Sequence, residues 1–170
     1  MELVDSHCHL YYEPMLNNYE ELIKNCRKKG INKLLTIGVN LETSILNSKL
    51  SAKYKEIYAT VGLHPNNLDE IFNDKDYQGL INKNRKIIGI GETGLDYYRT
   101  KTKLDIQRKN FIKHINLSKK CNLPLIVHTR DAENDTIQLL KLHMKNSEPK
   151  LIIHCFTGTK NFAKKLLDFG

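Results

Sequence analysis

The feature that most constrains the fold is an alternation of short apolar runs with stretches of helical periodicity, repeated six times along the chain. Each run and the helical stretch after it take about 30 residues, a spacing typical of βαβ units with parallel strands. The runs are apolar on both faces, as buried parallel strands are. They predict strands at residues 3–6, 33–37, 57–61, 86–90, 124–127 and 150–153. We therefore predict an α/β fold with one parallel sheet.

Histidine or glutamate follows four of these runs within two residues. His7 and His9 follow the first run, and residues two apart on a strand share a face. Glu92, His128 and His154 follow the fourth, fifth and sixth runs. The carboxyl ends of parallel strands converge on one face of an α/β fold, so the five side chains are expected to meet there. A His-x-His pair alone is a weak signal, but four such strand ends predict a divalent metal site rather than histidines packed or solvated for unrelated reasons.

Five segments occur in the order and spacing of a known protein family. They are VDSHCHL at residues 4–10, VGLHP at 61–65, GIGETGLDYY at 89–98, PLIVHTRDA at 124–132 and IHCFTG at 153–158. In these segments the chain resembles the TatD family of metal-dependent hydrolases. The resemblance implies a TIM-barrel-like (β/α) fold. The family includes DNases and 3′→5′ exonucleases, and some relatives remove D-amino acids from tRNA.

The length suits one domain, and we expect residues 1–170 to form a single TatD-like hydrolase domain. A closed TIM barrel has eight βα units in about 250 residues, whereas six are visible here. In the family pattern, the part that follows supplies two more strands and a further Asp ligand. We therefore expect a barrel that is incomplete at its C-terminal end. Whether the natural chain continues past Gly170 is left open.

The resemblance also implies two metal sites. His7, His9 and Glu92, with the absent Asp, would bind one ion, and Glu92, His128 and His154 would bind the other. Glu92 is the catalytic candidate because a carboxylate has two oxygens and can serve both ions. Two ions about 4 Å apart can hold a phosphodiester, activate water and stabilise the leaving oxygen. Three imidazoles and a carboxylate suit Zn²⁺, Mn²⁺ or Mg²⁺ alike.

Four further residues are candidates for substrate contact or for orienting the ligands. Asp5 could accept an N–H bond from one of the first two histidines, or it could be a strand-end turn residue. The family pattern places His64 as a phosphate contact. Asp96 follows Glu92 and is expected in the next loop. Arg130 could clamp a phosphate bidentately, or it could pair with the aspartate that follows it.

The net charge of +8 favours an acidic partner, DNA first and RNA or aminoacyl-tRNA as alternatives. Lysines outnumber arginines 22 to 5, however, and a general lysine bias would give the same charge without any partner. No apolar run approaches the roughly 20 residues that span a bilayer, and no basic N-terminal region marks a signal peptide. We therefore expect a soluble cytoplasmic protein that self-associates through open barrel edges.

Three functions follow from these features. The first is a divalent-metal-dependent DNase or 3′→5′ exonuclease. The second is an ester hydrolase of the D-aminoacyl-tRNA deacylase type, in which the same ions would polarise a carbonyl. The third is a non-catalytic truncated remnant that keeps only metal or nucleic-acid binding. No motif separates DNA from RNA, since that depends on contacts to a 2′-hydroxyl.

Two minor expectations concern residues outside the ligand set. Cys8 and Cys155 adjoin proposed ligands, so alternation should turn both thiols toward the helices as buried free cysteines. His114 falls within a helical stretch and is expected at the helix surface or its boundary.

Overall fold

Six parallel strands lie in the sheet in the order in which they occur along the chain, and a helix follows each strand. The structure is a computed structural model that describes residues 2–67, 69–70, 72–100, 103–144 and 150–169. The strands are β1 (Leu3–Cys8), β2 (Ile31–Thr36), β3 (Ile57–Val61), β4 (Ile87–Asp96), β5 (Leu125–Arg130) and β6 (Leu151–Ile153). The helices are α1 (Tyr19–Lys28), α2 (Leu41–Lys53), α3 (Asp74–Lys83), α4 (Leu104–Cys121), α5 (Glu133–His143) and α6 (Lys160–Leu167). This TIM-barrel-like half-barrel confirms the predicted α/β fold with six of eight βα units.

The strand β4 is longer than the sequence predicts, and this extension shapes the site. It runs to Asp96 because its second half pairs with β5, with Gly94 opposite His128 and Asp96 opposite Arg130. Glu92 therefore lies within a strand, and the placement of Asp96 in the following loop is wrong. Gly94 permits the pairing: its φ is +135°, and a Cβ there would overlap the carbonyl oxygen of His128.

Two clusters of buried side chains form the core. The larger lies among β3–β5 and the helices α3–α6, with fully buried residues such as Phe111 and Leu125. The smaller lies among β1–β3, α1 and α2, around Ile23, Leu34 and Leu50. The helices thus cover one face of the sheet and leave its carboxyl edge free for polar groups.

The helix α4 carries His114, for which the position predicted from the sequence is wrong. His114 is completely buried instead of lying at the helix surface. Burial is possible because both ring nitrogens have main-chain partners, the N–H of Leu63 and the carbonyl of Asn110.

Within the described ranges, no helix is both long and apolar enough to cross a bilayer.

The outer strands are open edges in the described part of the chain, where β1 pairs with β2 alone and β6 with β5 alone. Both carry exposed apolar side chains, including Val4 at 61% exposure and Ile152 at 50%. The half-barrel nevertheless curves enough to bring the carboxyl ends of β1 and β6 together, since the rings of His7 and His154 stack with centroids 3.4 Å apart.

Candidate metal centre

Glu92 is the hub of the polar groups at the carboxyl edge of the sheet, and its side chain is almost fully buried. Its Oε2 lies 3.4 Å from Nε2 of His7. Its Oε1 lies 3.2 Å from Nδ1 of His128 and 3.7 Å from Nε2 of His64. One carboxylate therefore faces three imidazoles that come from β1, β5 and the loop after β3.

The potential ligands fall into two groups that share Glu92. The first, here the His7 group, is His7, Glu92 and His154; the second, the His64 group, is His64, Glu92 and His128. In each group the ligand atoms lie within 4.8 Å of one another. This grouping differs from the one the resemblance implies, because His154 lies with His7 and His64 takes its place beside His128.

His9 lies outside both groups. Its Nδ1 is 2.6 Å from the hydroxyl of Tyr11, and its ring meets that of His7 edge-on at 5.1 Å. The strand β1 ends at Cys8, so the alternation that would place residues 7 and 9 on one face stops before His9. His9 does line the same cavity as the two groups, and its role as a ligand stays a prediction.

The protonation states of these residues suit a divalent cation. Burial lowers the pKa of His9, His154 and His64, the last to about 4, which leaves their imidazoles neutral. Burial opposes ionisation of Glu92, but the hydrogen bond with His128 and the nearby imidazoles of His7 and His64 hold the pKa of Glu92 well below its usual range. Neutral imidazole and ionised carboxylate are the donor types that zinc and similar ions use.

One buried atom in the His7 group lacks a hydrogen-bond partner. Nε2 of His7 is buried and, in the described structure, makes no hydrogen bond of acceptable geometry. An orphaned buried polar atom is costly unless a partner satisfies it. A divalent ion in the His7 group would supply that partner, so the residues present fit the metal that the fold implies.

Asp96 supports the His64 group from the other side of His128. Its Oδ2 lies 3.1 Å from Nε2 of His128 and accepts from Nδ2 of Asn66 at 3.0 Å, while Oδ1 accepts from the N–H of Arg99 at 2.8 Å. Burial would raise the pKa of Asp96, but these contacts lower it overall. His128 therefore lies between two carboxylates. Burial disfavours its charged form, yet Glu92 and Asp96 raise the pKa of His128 overall.

The contacts of Asp5 and Arg130 bear on the alternatives stated for them, while the phosphate role of Arg130 stays a prediction. Oδ1 of Asp5 accepts from the main-chain N–H of His7 at 3.2 Å, so the contact is with the strand and not with an imidazole. Arg130 stacks its guanidinium over the ring of Tyr98 at 3.8 Å. No ion pair between Arg130 and Asp131 occurs in the described structure.

An open cavity of about 720 Å³ lies above the ligands. Both groups of ligands reach it, and its rim carries basic, amide and hydroxyl side chains, among them Asn66, Arg99, Arg130 and Thr157.

Cys155 also lines the cavity and is exposed, so the prediction that this thiol is buried toward the helices is wrong. The strand β6 ends at Ile153, and Cys155 has a φ of +45°, so strand alternation does not apply there. Cys8 is half-buried, and burial raises its pKa to about 12.

Comparison with known proteins agrees with this geometry. The sequence profile of the family described as TatD related DNase matches residues 4–170. The chain belongs to the TatD family. Among its TatD-like relatives, the uncharacterized metal-dependent hydrolase BU355 of Buchnera aphidicola is 37% identical over 181 residues, covering 100% of this chain and 68% of the relative. The uncharacterized metal-dependent hydrolase YcfH of Escherichia coli K12 is 33% identical over 173 residues, covering 100% and 64%.

Solved TatD structures share the fold. The E. coli TatD homologue YjjV superimposes with a TM-score of 0.88 at 24% identity, covering 99% of this chain and 65% of that one. A TatD family hydrolase from Entamoeba histolytica gives 0.83 at 24% identity, covering 100% and 63%. The chain thus spans about two thirds of the length of its TatD relatives, from 63% to 68% in these four alignments.

Sequence reasoning missed three residues that shape the centre. Asn66 contacts Asp96 and directly follows the segment at 61–65, and Tyr98 contacts Arg130 and ends the segment at 89–98. Gln107 is buried and binds the main chain of Asp96. Gln107 lies four residues before the apolar Phe111, on the same helix face, and a polar side chain on a buried face is a signal that could have drawn attention to it.

Proposed function

We propose that this chain binds two divalent metal ions and hydrolyses phosphodiester bonds of DNA, as a DNase or 3′→5′ exonuclease. The observation that carries the proposal is the pair of three-ligand groups that share the buried carboxylate of Glu92 below one open cavity. Paired divalent sites of this kind are typical of phosphodiester hydrolysis. The net charge of +8 suits a polyanionic substrate.

The two ligand groups would hold the ions, and His9 at the cavity wall is a further candidate ligand. Bound divalent ions supply Lewis-acid polarisation of a phosphoryl oxygen and lower the pKa of water. Glu92 stays ionised at neutral pH, so it contributes negative charge to both groups and does not act as a proton carrier. Asp96 orients the ring of His128 by contacting the nitrogen that faces away from Glu92.

The rim of the cavity would bind the substrate. Arg130 and Arg99 line it, and a guanidinium can bind phosphate through two parallel N–H bonds. The stacking of Arg130 on Tyr98 holds the guanidinium at the rim while leaving its N–H groups free to donate. Water attacking phosphorus is the nucleophile in this proposal, and no side chain forms a covalent intermediate.

The test is hydrolysis of a 5′-labelled DNA oligonucleotide in Mg²⁺ or Mn²⁺, with D-aminoacyl-tRNA as the competing substrate. The expected result is oligonucleotide shortening that stops with chelator and falls at least a hundredfold in Glu92→Ala. Deacylation of the tRNA without oligonucleotide shortening would replace the proposal with the ester-hydrolase function. Metal binding with neither reaction would favour the non-catalytic remnant.

A further inference from the structure

Two polar side chains on the sheet-facing side of α4 are completely buried. Gln107 and His114 both have an exposed fraction of 0%, as does Phe111 between them. Positions i, i+4 and i+7 share one face of a helix, so the three residues form one stripe. A buried polar group destabilises the fold unless its hydrogen bonds are made, and the partners of these two side chains are therefore informative.

Gln107 makes two hydrogen bonds to the main chain of Asp96. Its Oε1 accepts from the N–H of Asp96 at 2.8 Å, and its Nε2 donates to the carbonyl oxygen of Asp96 at 3.1 Å. In the described structure the pairing of β3 with β4 ends at Val61 and Ile90, so β3 does not accompany the last residues of β4. The carboxamide of Gln107 takes the place of a neighbouring strand and fixes the end of β4.

His114 makes an equivalent connection to the end of β3. Its Nε2 accepts from the N–H of Leu63 at 2.9 Å. The ring proton therefore lies on Nδ1, which donates to the carbonyl oxygen of Asn110 at 2.7 Å. Leu63 directly precedes His64, whose own N–H donates to the carbonyl of Val39 at 2.8 Å. The main-chain N–H groups of Leu63 and His64 are thus bound by two different parts of the fold, the His114 ring and the carbonyl of Val39.

The two segments held by α4 carry groups that meet at His128. Asp96 contacts Nε2 of His128 at 3.1 Å, and the ring of His64 meets the ring of His128 with centroids 4.6 Å apart. Asn66 joins the segments again by its 3.0 Å bond to Asp96. A small displacement of either strand end would change the distances within the His64 group.

We propose that Gln107 and His114 are positioning residues, through which α4 sets the ends of β3 and β4 and hence the geometry of the His64 group. Both act through the main chain of a neighbouring residue, and the contacts given above are with Asp96 and Leu63, not with the ligand atoms. The inference rests on the proposed function in one respect, that the His64 group binds a divalent ion.

The experiment measures Mn²⁺ affinity by titration calorimetry and the histidine ring signals of the metal-free protein by NMR. His114→Leu and Gln107→Leu should each weaken Mn²⁺ binding about tenfold, the lower end of the range for residues that orient ligands. Both should also shift the ring signals of His64 and His128. His114→Gln should keep affinity within a few-fold of the parent, because a carboxamide can accept from Leu63 and donate to Asn110.

Ser118→Ala is the matched control. Ser118 lies on α4, is 3% exposed, and donates to the carbonyl of Leu123 at 2.6 Å, away from the centre. It should lower the free energy of unfolding while leaving Mn²⁺ affinity and the signals of His64 and His128 unchanged. Equal effects of Ser118→Ala and His114→Leu on affinity would overturn the inference, as would parent-like affinity in both leucine variants.

Variants that do not fold and a parent that binds no Mn²⁺ are two further possible outcomes. If the leucine variants do not fold, His114→Asn replaces them, because the shorter asparagine side chain cannot reach both Leu63 and Asn110. A Mn²⁺ affinity of His114→Asn equal to that of His114→Gln would then overturn the inference. If the parent itself binds no Mn²⁺, the proposed function fails. The ring signals then decide alone, and signals of His64 and His128 that stay unchanged in the position-114 variants overturn the positioning role.

Discussion

At the scale of residues, the centre depends on one buried carboxylate among imidazoles. Burial alone would favour the protonated form of Glu92, but the hydrogen bond with His128 and the nearby imidazoles of His7 and His64 reverse this and lower its pKa. The same burial keeps His64 and His154 neutral by lowering their pKa values. The local environment thus gives Glu92, His64 and His154 the charge states that a divalent cation requires.

Arg130→Ala tests the substrate-binding rim. The variant should bind a DNA oligonucleotide more weakly and should lower the salt dependence of binding by about one phosphate contact, because one guanidinium is lost. Bound metal should stay at the parent level. Arg85→Ala is the control, since Arg85 is exposed and precedes β4 at the opposite edge of the sheet. An unchanged salt slope with a large loss of thermal stability would instead make Arg130 a structural residue.

The sequence predicts which residues belong to the metal centre better than it predicts which of them lie next to each other. Four residues follow apolar runs, and the structure brings all four into the two groups that share Glu92: they are His7, Glu92, His128 and His154. Which imidazole lies beside which depends on the curvature of the half-barrel, and no local pattern encodes that curvature. His9 illustrates the limit, because strand alternation holds only as far as β1 extends.

At the scale of elements, the pairing of β4 with β5 brings Glu92, His128 and Asp96 together. The sequence predicted that all six strands exist, because each has an apolar run between turn signals. It missed the second half of β4 because Thr93 and Gly94 interrupt the apolar pattern. Both are buried in the sheet through pairing with β5, a long-range contact that local periodicity does not report.

Gly94→Ala tests this pairing. The added Cβ would overlap the carbonyl oxygen of His128, and the positive φ of +135° would strain any L side chain. We expect a loss of at least about 2 kcal/mol in the free energy of unfolding, measured by urea denaturation, together with weaker metal binding. Gly79→Ala in α3 is the control: nothing lies within 4 Å of its Cβ, and it should gain up to about 1 kcal/mol. Equal stability of the two variants would contradict the close approach of β4 and β5.

At the scale of the whole molecule, the described residues form a half-barrel with two open edges, β1 and β6, that carry exposed apolar residues. Unpaired strand edges favour association with another chain. We expect the 170-residue chain to self-associate in a concentration-dependent way, measured by sedimentation velocity. Val4→Lys or Ile152→Lys should reduce association, whereas Leu142→Lys, on an exposed face of α5, should not. A parent that stays monomeric at all concentrations, or equal effects of the three variants, would contradict this.

The most direct test of a metal centre that shares Glu92 is the number of Mn²⁺ ions bound per chain. Titration calorimetry measures it in the parent and in three variants. We predict two ions for the parent, one for His7→Ala and one for His128→Ala. Glu92→Ala should bind none with comparable affinity, because Glu92 alone belongs to both groups. Combining His7→Ala with His128→Ala should also remove both ions. A Glu92→Ala protein that keeps one ion at parent affinity, or histidine variants that lose the same ion, would contradict the shared-carboxylate centre.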